Sequence, residues 1–255
     1  MPEEPPKSHK VKKNIKFVEL HPEEMARQFG LMGFKIFSTI RPRECLHKRW
    51  QSLEKEKEAP NILAFVDFFN FLSDWTATRI VFEKTPKARA AVISHIIKIG
   101  LECKKINNFC GVMQIVGGLR NSAIKRLKKT WALVSSKTME DWQILLDLTD
   151  STENFLKMRQ QLQHSTPPAL PYIGIFLQDL LFIDDGNTDK LPNSELINFN
   201  KLRFLATVIQ NITTYQSNPY NFHPVVAIQN FINETPTYDS AALENSSLFL
   251  EPRDK

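Results

Sequence analysis

PPALPYIGIFLQDLLFIDDGN, residues 167–187, is the stretch from which the rest of this chain can be read. Its three prolines stiffen the approach to a helix, and Pro171 suits a first turn, where a missing N–H costs little. From Ile173 to Ile183 the apolar residues point in nearly every direction around a helix, which predicts a mostly buried element. Gly186 is placed to stop that helix in the left-handed conformation. Asp184 and Asp185 are the anomaly. Acidic side chains at a helix C-terminus face the negative end of the helix dipole, at a cost of ~0.3–1 kcal/mol each. Such a local violation marks either function or strain, or else two solvated aspartates at a turn.

The 255 residues are 42% hydrophobic and include 18 Phe, enough for a large core in one big domain or two small ones. Few alternating apolar/polar runs and only eight glycines argue against a sandwich or barrel. Cys45, Cys103 and Cys110 lack metal-ligand spacing and read as free thiols in a reducing compartment. Residues 1–16 carry Lys7, Lys10, Lys12 and Lys13 and no apolar core, so they read as a flexible basic leader rather than a signal peptide. No apolar run reaches membrane-spanning length, which points to a soluble, cytosolic chain. The net charge of +5 fits an acidic partner without choosing its kind.

Helical spacing recurs along the chain. Phe17–Ile40 has Pro22 and Glu23-Glu24 for a first turn, and Met25, Phe29, Phe34 and Phe37 for an apolar face. Residues 51–60 form a charged connector, and 61–83 a central aromatic-rich helix or a pair of short ones. Residues 86–105 give a long helix. A short one starts at Phe109 and is expected to stop near Gly117-Gly118. Asn121 or Ser122 caps the next, with Ile124, Leu127 and Trp131 inward. Further helices are predicted at 138–148, 152–164, 194–216 and 224–233, with loops at 184–193 and 216–224. The pattern is all-α, without internal repeats.

Chemistry-bearing motifs are scarce. The six histidines are scattered and include no His-Glu-x-x-His, and neither a nucleophile elbow nor a glycine-rich phosphate loop occurs. No metal site or cofactor is predicted, and Asp184-Asp185 lack a convergent ligand set. Arg120–Trp131 holds five basic residues on a predicted helix, which suits phosphate tracking. Apolar residues on the opposite face suit an ordinary amphipathic helix equally.

INNFCGVMQIVGGLRNSAIKRLKKTW (106–131) resembles a region of the Ras-family guanine nucleotide exchange factors, with its turn before Gly-Leu, Arg-Leu-Lys and Thr-Trp. The opening stretch resembles that family's Pro-Phe-Leu-Gly-x-Tyr-Leu-x-Asp-Leu followed by Glu-Glu-Gly-Asn. HPEEMARQF (21–29), STENFLKMRQQL (151–162), LINFNKLR (196–203) and SLFLEPR (247–253) agree in the family's order. The resemblance covers about 17 to 253 and implies one all-α catalytic domain over 17–255, with a projecting helical hairpin around 168–190.

The implied partner is a Ras-type small GTPase (Ras, Rap or a relative), met in its GDP-bound and nucleotide-free forms. The implied activity is nucleotide release without covalent chemistry, cofactor or nucleic acid, by a cytoplasmic protein working at membranes where the GTPase is anchored. Leu181 and Asp185 match the leucine and second glutamate of the family's hairpin. Four apart, they share one helix face: Leu181 would block the GTPase's magnesium site, and Asp185 would place a carboxylate where phosphates sit. Asp184-Asp185 replace the usual Glu-Glu, one methylene shorter, which keeps open a weak or inactive relative that only binds a GTPase or scaffold. Tyr172 and Phe155 match aromatic positions associated with the second switch of the GTPase. Met113, Asn70 in FNFLSDW (69–75), Asp184, and Arg120 with Asn121 in GLRNSAI match further surface positions, Arg120 standing where the family has asparagine. Asn108 and Phe109 are expected in the core turn, and Trp75, Trp131 and Arg253 as structural. An accessory helical domain often precedes this one in the family, and residues 1–16 are too short to hold it. Basic-helix nucleic-acid binding is the third reading.

Overall fold

Proline and polar caps set the helix starts. In the computed structural model, which describes residues 6–9 and 16–253, the helices α1 (Pro22–Phe37), α2 (Lys55–Glu58), α3 (Pro60–Val81) and α4 (Pro86–Lys105) come first. Pro22, Pro60 and Pro86 each occupy the first turn of their helix, where no N–H is needed. They are followed by α5 (Phe109–Arg120), α6 (Ser122–Lys125), α7 (Lys128–Trp131), α8 (Ser136–Leu148) and α9 (Leu156–His164). The chain ends with α10 (Gly174–Gly186), α11 (Phe199–Gln216), α12 (Val226–Glu234) and α13 (Ser240–Leu250). Side chains of Thr85, Asn108, Ser135, Asn198 and Asp239 cap α4, α5, α8, α11 and α13 by accepting first-turn N–H groups. Among the described residues there is no strand, only two isolated bridges. The all-α expectation holds. None of these helices is long and apolar enough to cross a membrane.

The core lies where α3, α4, α5 and α1 meet, around the fully buried Trp75, Phe37, Phe65, Phe109 and Met25. Trp75 is structural, as expected, with Phe17, Phe29 and Phe231 set edge-on around it. Asn108 and Phe109 are both buried and build the turn into α5, also as expected. The three cysteines are free and buried, and burial pushes the Cys45 thiol up to about 12.

The structure corrects several sequence expectations. Helix α5 does not stop at Gly117-Gly118 but runs through them to Arg120. A Cβ at Gly118 would lie 2.5 Å from the Ser73 carbonyl oxygen and 2.6 Å from Thr76, so the glycine permits close packing of α5 on α3 rather than ending it. The basic stretch 120–131 is not one helix. It breaks between α6 and α7, and Arg126 is spent on the Ser247 carbonyl (2.8 Å) and hydroxyl (3.0 Å). The helix predicted over 152–164 begins only at Leu156, because Glu153, Asn154 and Phe155 are left-handed (φ 51°, 56° and 58°). The one predicted over 194–216 begins at Phe199. Gly186 does not adopt positive φ; it closes α10, and the Asn187 amide donates to the Ile183 carbonyl (2.9 Å) in place of a left-handed cap. The charged connector holds the single turn α2, and SLFLEPR begins inside α13, a helix that apolar spacing did not suggest. Lys10, Lys12 and Lys13 of the leader lie outside the described residues.

Candidate functional site

Helices α10 and α11 run antiparallel. Phe176 near the start of α10 faces Tyr215 near the end of α11 (ring centroids 6.3 Å apart), and Asp184 near the end of α10 meets Lys201 in the first turn of α11. They form a helical hairpin whose connecting segment is 187–198. Ile175, Phe176 and Leu180 are buried at its base, while Phe182 on α10 is 58% exposed, an exception to the expected mostly buried helix. Leu196, Ile197, Phe199 and Phe204 are exposed as well, so the far end of the hairpin presents apolar surface.

The two aspartates are neither solvated bystanders nor equivalent. Asp184 is nearly buried, its Oδ1 2.7 Å from Lys201 Nζ, and Asp189 Oδ1 lies 2.7 Å from the same ammonium. Burial would lower the Lys201 pKa, but hydrogen bonds to Asp184 and Asp189 outweigh it and raise the value. Asp185 is exposed and pairs with Lys48. Lys48 and His47 are both left-handed (φ 52° and 53°), in a turn anchored by the buried Trp50. Two ammonium groups thus offset the two carboxylates at the negative end of α10. The asymmetry matters more: Asp184 is committed to holding α11, whereas Asp185 is an accessible carboxylate on the half-buried Leu181's face.

At the base, Tyr172 is half-buried between Phe69 (5.3 Å) and Phe155 (5.9 Å). Burial raises its phenol pKa. The left-handed run 153–155 brings Phe155 there, and Arg159 secures the join. Its guanidinium grips Asp179 with two bonds (2.7 and 2.8 Å) and donates to the Asn154 and Ile175 carbonyls (2.7 and 3.2 Å). A Cβ at Gly174 would fall 2.4 Å from the Tyr172 ring. Gly174→Ala is therefore expected to displace Tyr172 or cost about 1–3 kcal/mol, read as a lower urea midpoint with a changed tyrosine fluorescence signal.

The remaining sequence candidates are more dispersed. Asn70 is exposed on α3 beside the aromatic cluster, and Met113 is half-buried on α5, which packs against α3. Arg120 is exposed at the end of α5, and the Asn121 carboxamide caps α6 through the Ala123 N–H (3.0 Å). Neither of these two hydrogen-bonds to α10 or α11 among the described residues. Sequence reasoning missed Lys48, Lys201, Arg159 and Phe69. Lys201 and Arg159 sit inside the quoted LINFNKLR and STENFLKMRQQL, so that signal existed. Lys48 lies 137 residues from Asp185, and nothing local points to it.

The sequence profile of the RasGEF domain matches residues 24–203, well over half of the chain and including α10 and the start of α11. The chain belongs to the RasGEF family. From Dictyostelium discoideum, Ras guanine nucleotide exchange factor P is 38% identical over 239 residues, 93% of this chain and 16% of that protein. Factor M is 36% identical over 205 residues (80% and 22%), and factor A is 37% identical over 224 residues (86% and 37%). This RasGEF chain therefore spans less than two fifths of the length of each of these relatives. As expected of the family, the fold is all-α. The hairpin expected around 168–190 is instead built from α10 and α11, so that range holds only its first arm and the second reaches Gln216.

Proposed function

We propose that residues 17–255 form a single catalytic domain that promotes GDP release from a Ras-type small GTPase. The observation that carries this reading is the RasGEF match over α10 and the start of α11, the end of the hairpin that presents an accessible carboxylate, Asp185, on the same helix face as Leu181. Leu181 would occupy space beside the bound magnesium with a group that cannot coordinate it. Asp185 would offer the phosphate-binding groups of the GTPase a competing anion. Tyr172, Phe155, Met113, Asn70, Arg120 and Asn121 would supply the wider contact, and the exposed Phe182 and Phe199 apolar area a partner would cover. Asp184 would act indirectly, by fixing α10 on α11.

No covalent bond changes in this mechanism. The exchange factor stabilises the empty GTPase more than the loaded one, and that difference is the catalytic effect. The protein would act in the cytoplasm, at membranes where the GTPase is anchored. A 1:1 complex with a Ras, Rap or Ral-type GTPase is expected to tighten when nucleotide is stripped and to weaken when GDP and magnesium return, since linkage is reciprocal. Fluorescent-GDP release across that panel, with calorimetry on the empty and loaded forms, tests this. Stimulated release from one member supports exchange; equal affinity for both forms leaves only a binding module.

A further inference from the structure

We propose that His9, His21 and Glu23 form a binding site for a divalent transition metal of the Zn2+ class, joining the segment 6–9 to the start of α1. The three side chains come from two pieces of chain twelve residues apart in sequence at the histidines. In the fold, one nitrogen of each imidazole and a carboxylate oxygen of Glu23 all lie within 4.8 Å of one another. The His9 and His21 rings face each other at 3.7 Å, and His9 Nε2 is 3.1 Å from Glu23 Oε2. First-row metals bind imidazole and carboxylate at about 2.0–2.2 Å, which places ligand atoms roughly 3–3.6 Å apart. Side-chain rotations closing these atoms by about 1 Å would complete three corners of a tetrahedron.

The surroundings already hold the Glu23 carboxylate and the His9 main chain. The Glu23 carboxylate divides its oxygens: Oε1 takes the Arg27 guanidinium at 2.5 Å, leaving Oε2 toward His9. The His9 main-chain N–H donates to Oε2 of the buried Glu24 at 2.9 Å, and Arg27 donates to the Lys7 carbonyl at 3.3 Å. A partner such as Arg27 behind a carboxylate ligand fixes its orientation in metal sites. The two imidazoles, stacked within 10° of parallel, must turn out of the stack to aim both in-plane lone pairs at one ion. The donor set decides the metal class. Two imidazoles and one carboxylate select Zn2+ and its neighbours over Mg2+ or Ca2+, which take oxygen ligands. His21 is exposed and the other two half-buried, so a fourth position is open to water and the ion has a path in. Binding would cross-link the segment before the catalytic fold to α1, far in sequence from the hairpin.

The test uses the intact chain, freed of metal by chelation and titrated with Zn2+ in a calorimeter, with Co2+ as an optical reporter. One Zn2+ per chain is expected, together with the intense visible absorption of tetrahedral Co2+. His9→Ala and His21→Ala should each weaken Zn2+ binding by about tenfold or more, the scale on which metal sites respond to lost support. His164→Ala and His223→Ala serve as controls and should bind as wild type. His9 lies outside the helical core, so His9→Ala keeps the test valid even if Glu23→Gln perturbs α1. Absence of stoichiometric binding, or wild-type affinity in both His9→Ala and His21→Ala, overturns the proposal. Mg2+ displacing Zn2+ at equal concentration overturns the assigned metal class.

Discussion

Glu251→Gln is expected to destabilise the folded chain by about 3–5 kcal/mol, the cost of leaving a buried charge without its partner. Arg89 is completely buried, and its guanidinium lies 3.1 Å from Glu251 Oε1. Its other donors go to Thr130 Oγ1 (2.8 Å) and to the Glu83 and Lys84 carbonyls (3.0 Å each). Glu251 also accepts from the Thr130 hydroxyl (2.6 Å) and from the N–H groups of Thr130 and Lys129 (3.0 and 2.9 Å). One carboxylate thus ties α13 to α4 and α7. Glutamine keeps an acceptor oxygen but removes the only anion facing Arg89 in these contacts. At roughly 2–4 °C per kcal/mol for a chain of this size, Tm should fall by about 10 °C.

The effect carries a pH signature. Burial alone would raise the Glu251 pKa, but hydrogen bonds from Thr130, Lys129 and Arg89 bring it below its ordinary 4.5. A lowered carboxylate pKa contributes stability that is present above 4.5 and lost as pH falls through the folded value. The gap between wild type and Glu251→Gln should therefore be full at neutral pH and close in acid below about pH 4.5. A gap unchanged down to pH 3 would show that the charge is not what stabilises this junction. Replacing Arg89 and Glu251 together by Met and Leu should recover part of the loss.

Glu251 also shows what the sequence could and could not convey. SLFLEPR marks the region as characteristic, yet attention falls on Arg253, which is exposed and only loosely paired with Glu244 at 3.6 Å. The residue that bears the structure stands two positions earlier, and its partner is 162 residues away. The long helices were legible because apolar spacing and N-terminal prolines are local signals. Gly117-Gly118 misled because a glycine that ends a helix and one that admits a neighbouring helix look identical in sequence; only the Ser73 backbone distinguishes them. Residues 152–155 misled for the converse reason. Three consecutive left-handed residues without glycine are locally unfavourable, and the Tyr172–Phe155 contact and the Arg159 bonds to Asn154 are what accompany them. At the hairpin, the anomaly of Asp184-Asp185 was visible, but its resolution by Lys201 and Lys48 was not.

The hairpin yields the other large expected effect. If exchange proceeds as proposed, Asp185→Asn should slow stimulated GDP release by about ten- to a hundredfold, the loss of one charge-assisted interaction of roughly 1.5–3 kcal/mol. Asparagine nearly preserves size, so this loss reports charge. Leu181→Ala should slow release by about tenfold or more through shape, since truncating a covered leucine removes roughly 1.5–3 kcal/mol of apolar contact. Neither change should unfold the protein. Alanine is the better helix former, and Asp185 is exposed at the end of α10. Dipole relief alone would make Asp185→Asn slightly more stable, but the Lys48 pair is lost with it, so no net change in Tm is expected. Lys48 supplies a third arm. An exposed ion pair is worth ~0.2–1 kcal/mol, so Lys48→Met should release Asp185 for the GTPase and speed exchange by about two- to fivefold. In the Asp185→Asn background that gain should vanish, because the two residues act through one contact. Asp185→Glu restores the family's usual side chain and should equal or exceed wild type. Wild-type rates for both Leu181→Ala and Asp185→Asn, on a GTPase that the unmodified chain discharges, would remove the hairpin from the mechanism while leaving the fold and family untouched.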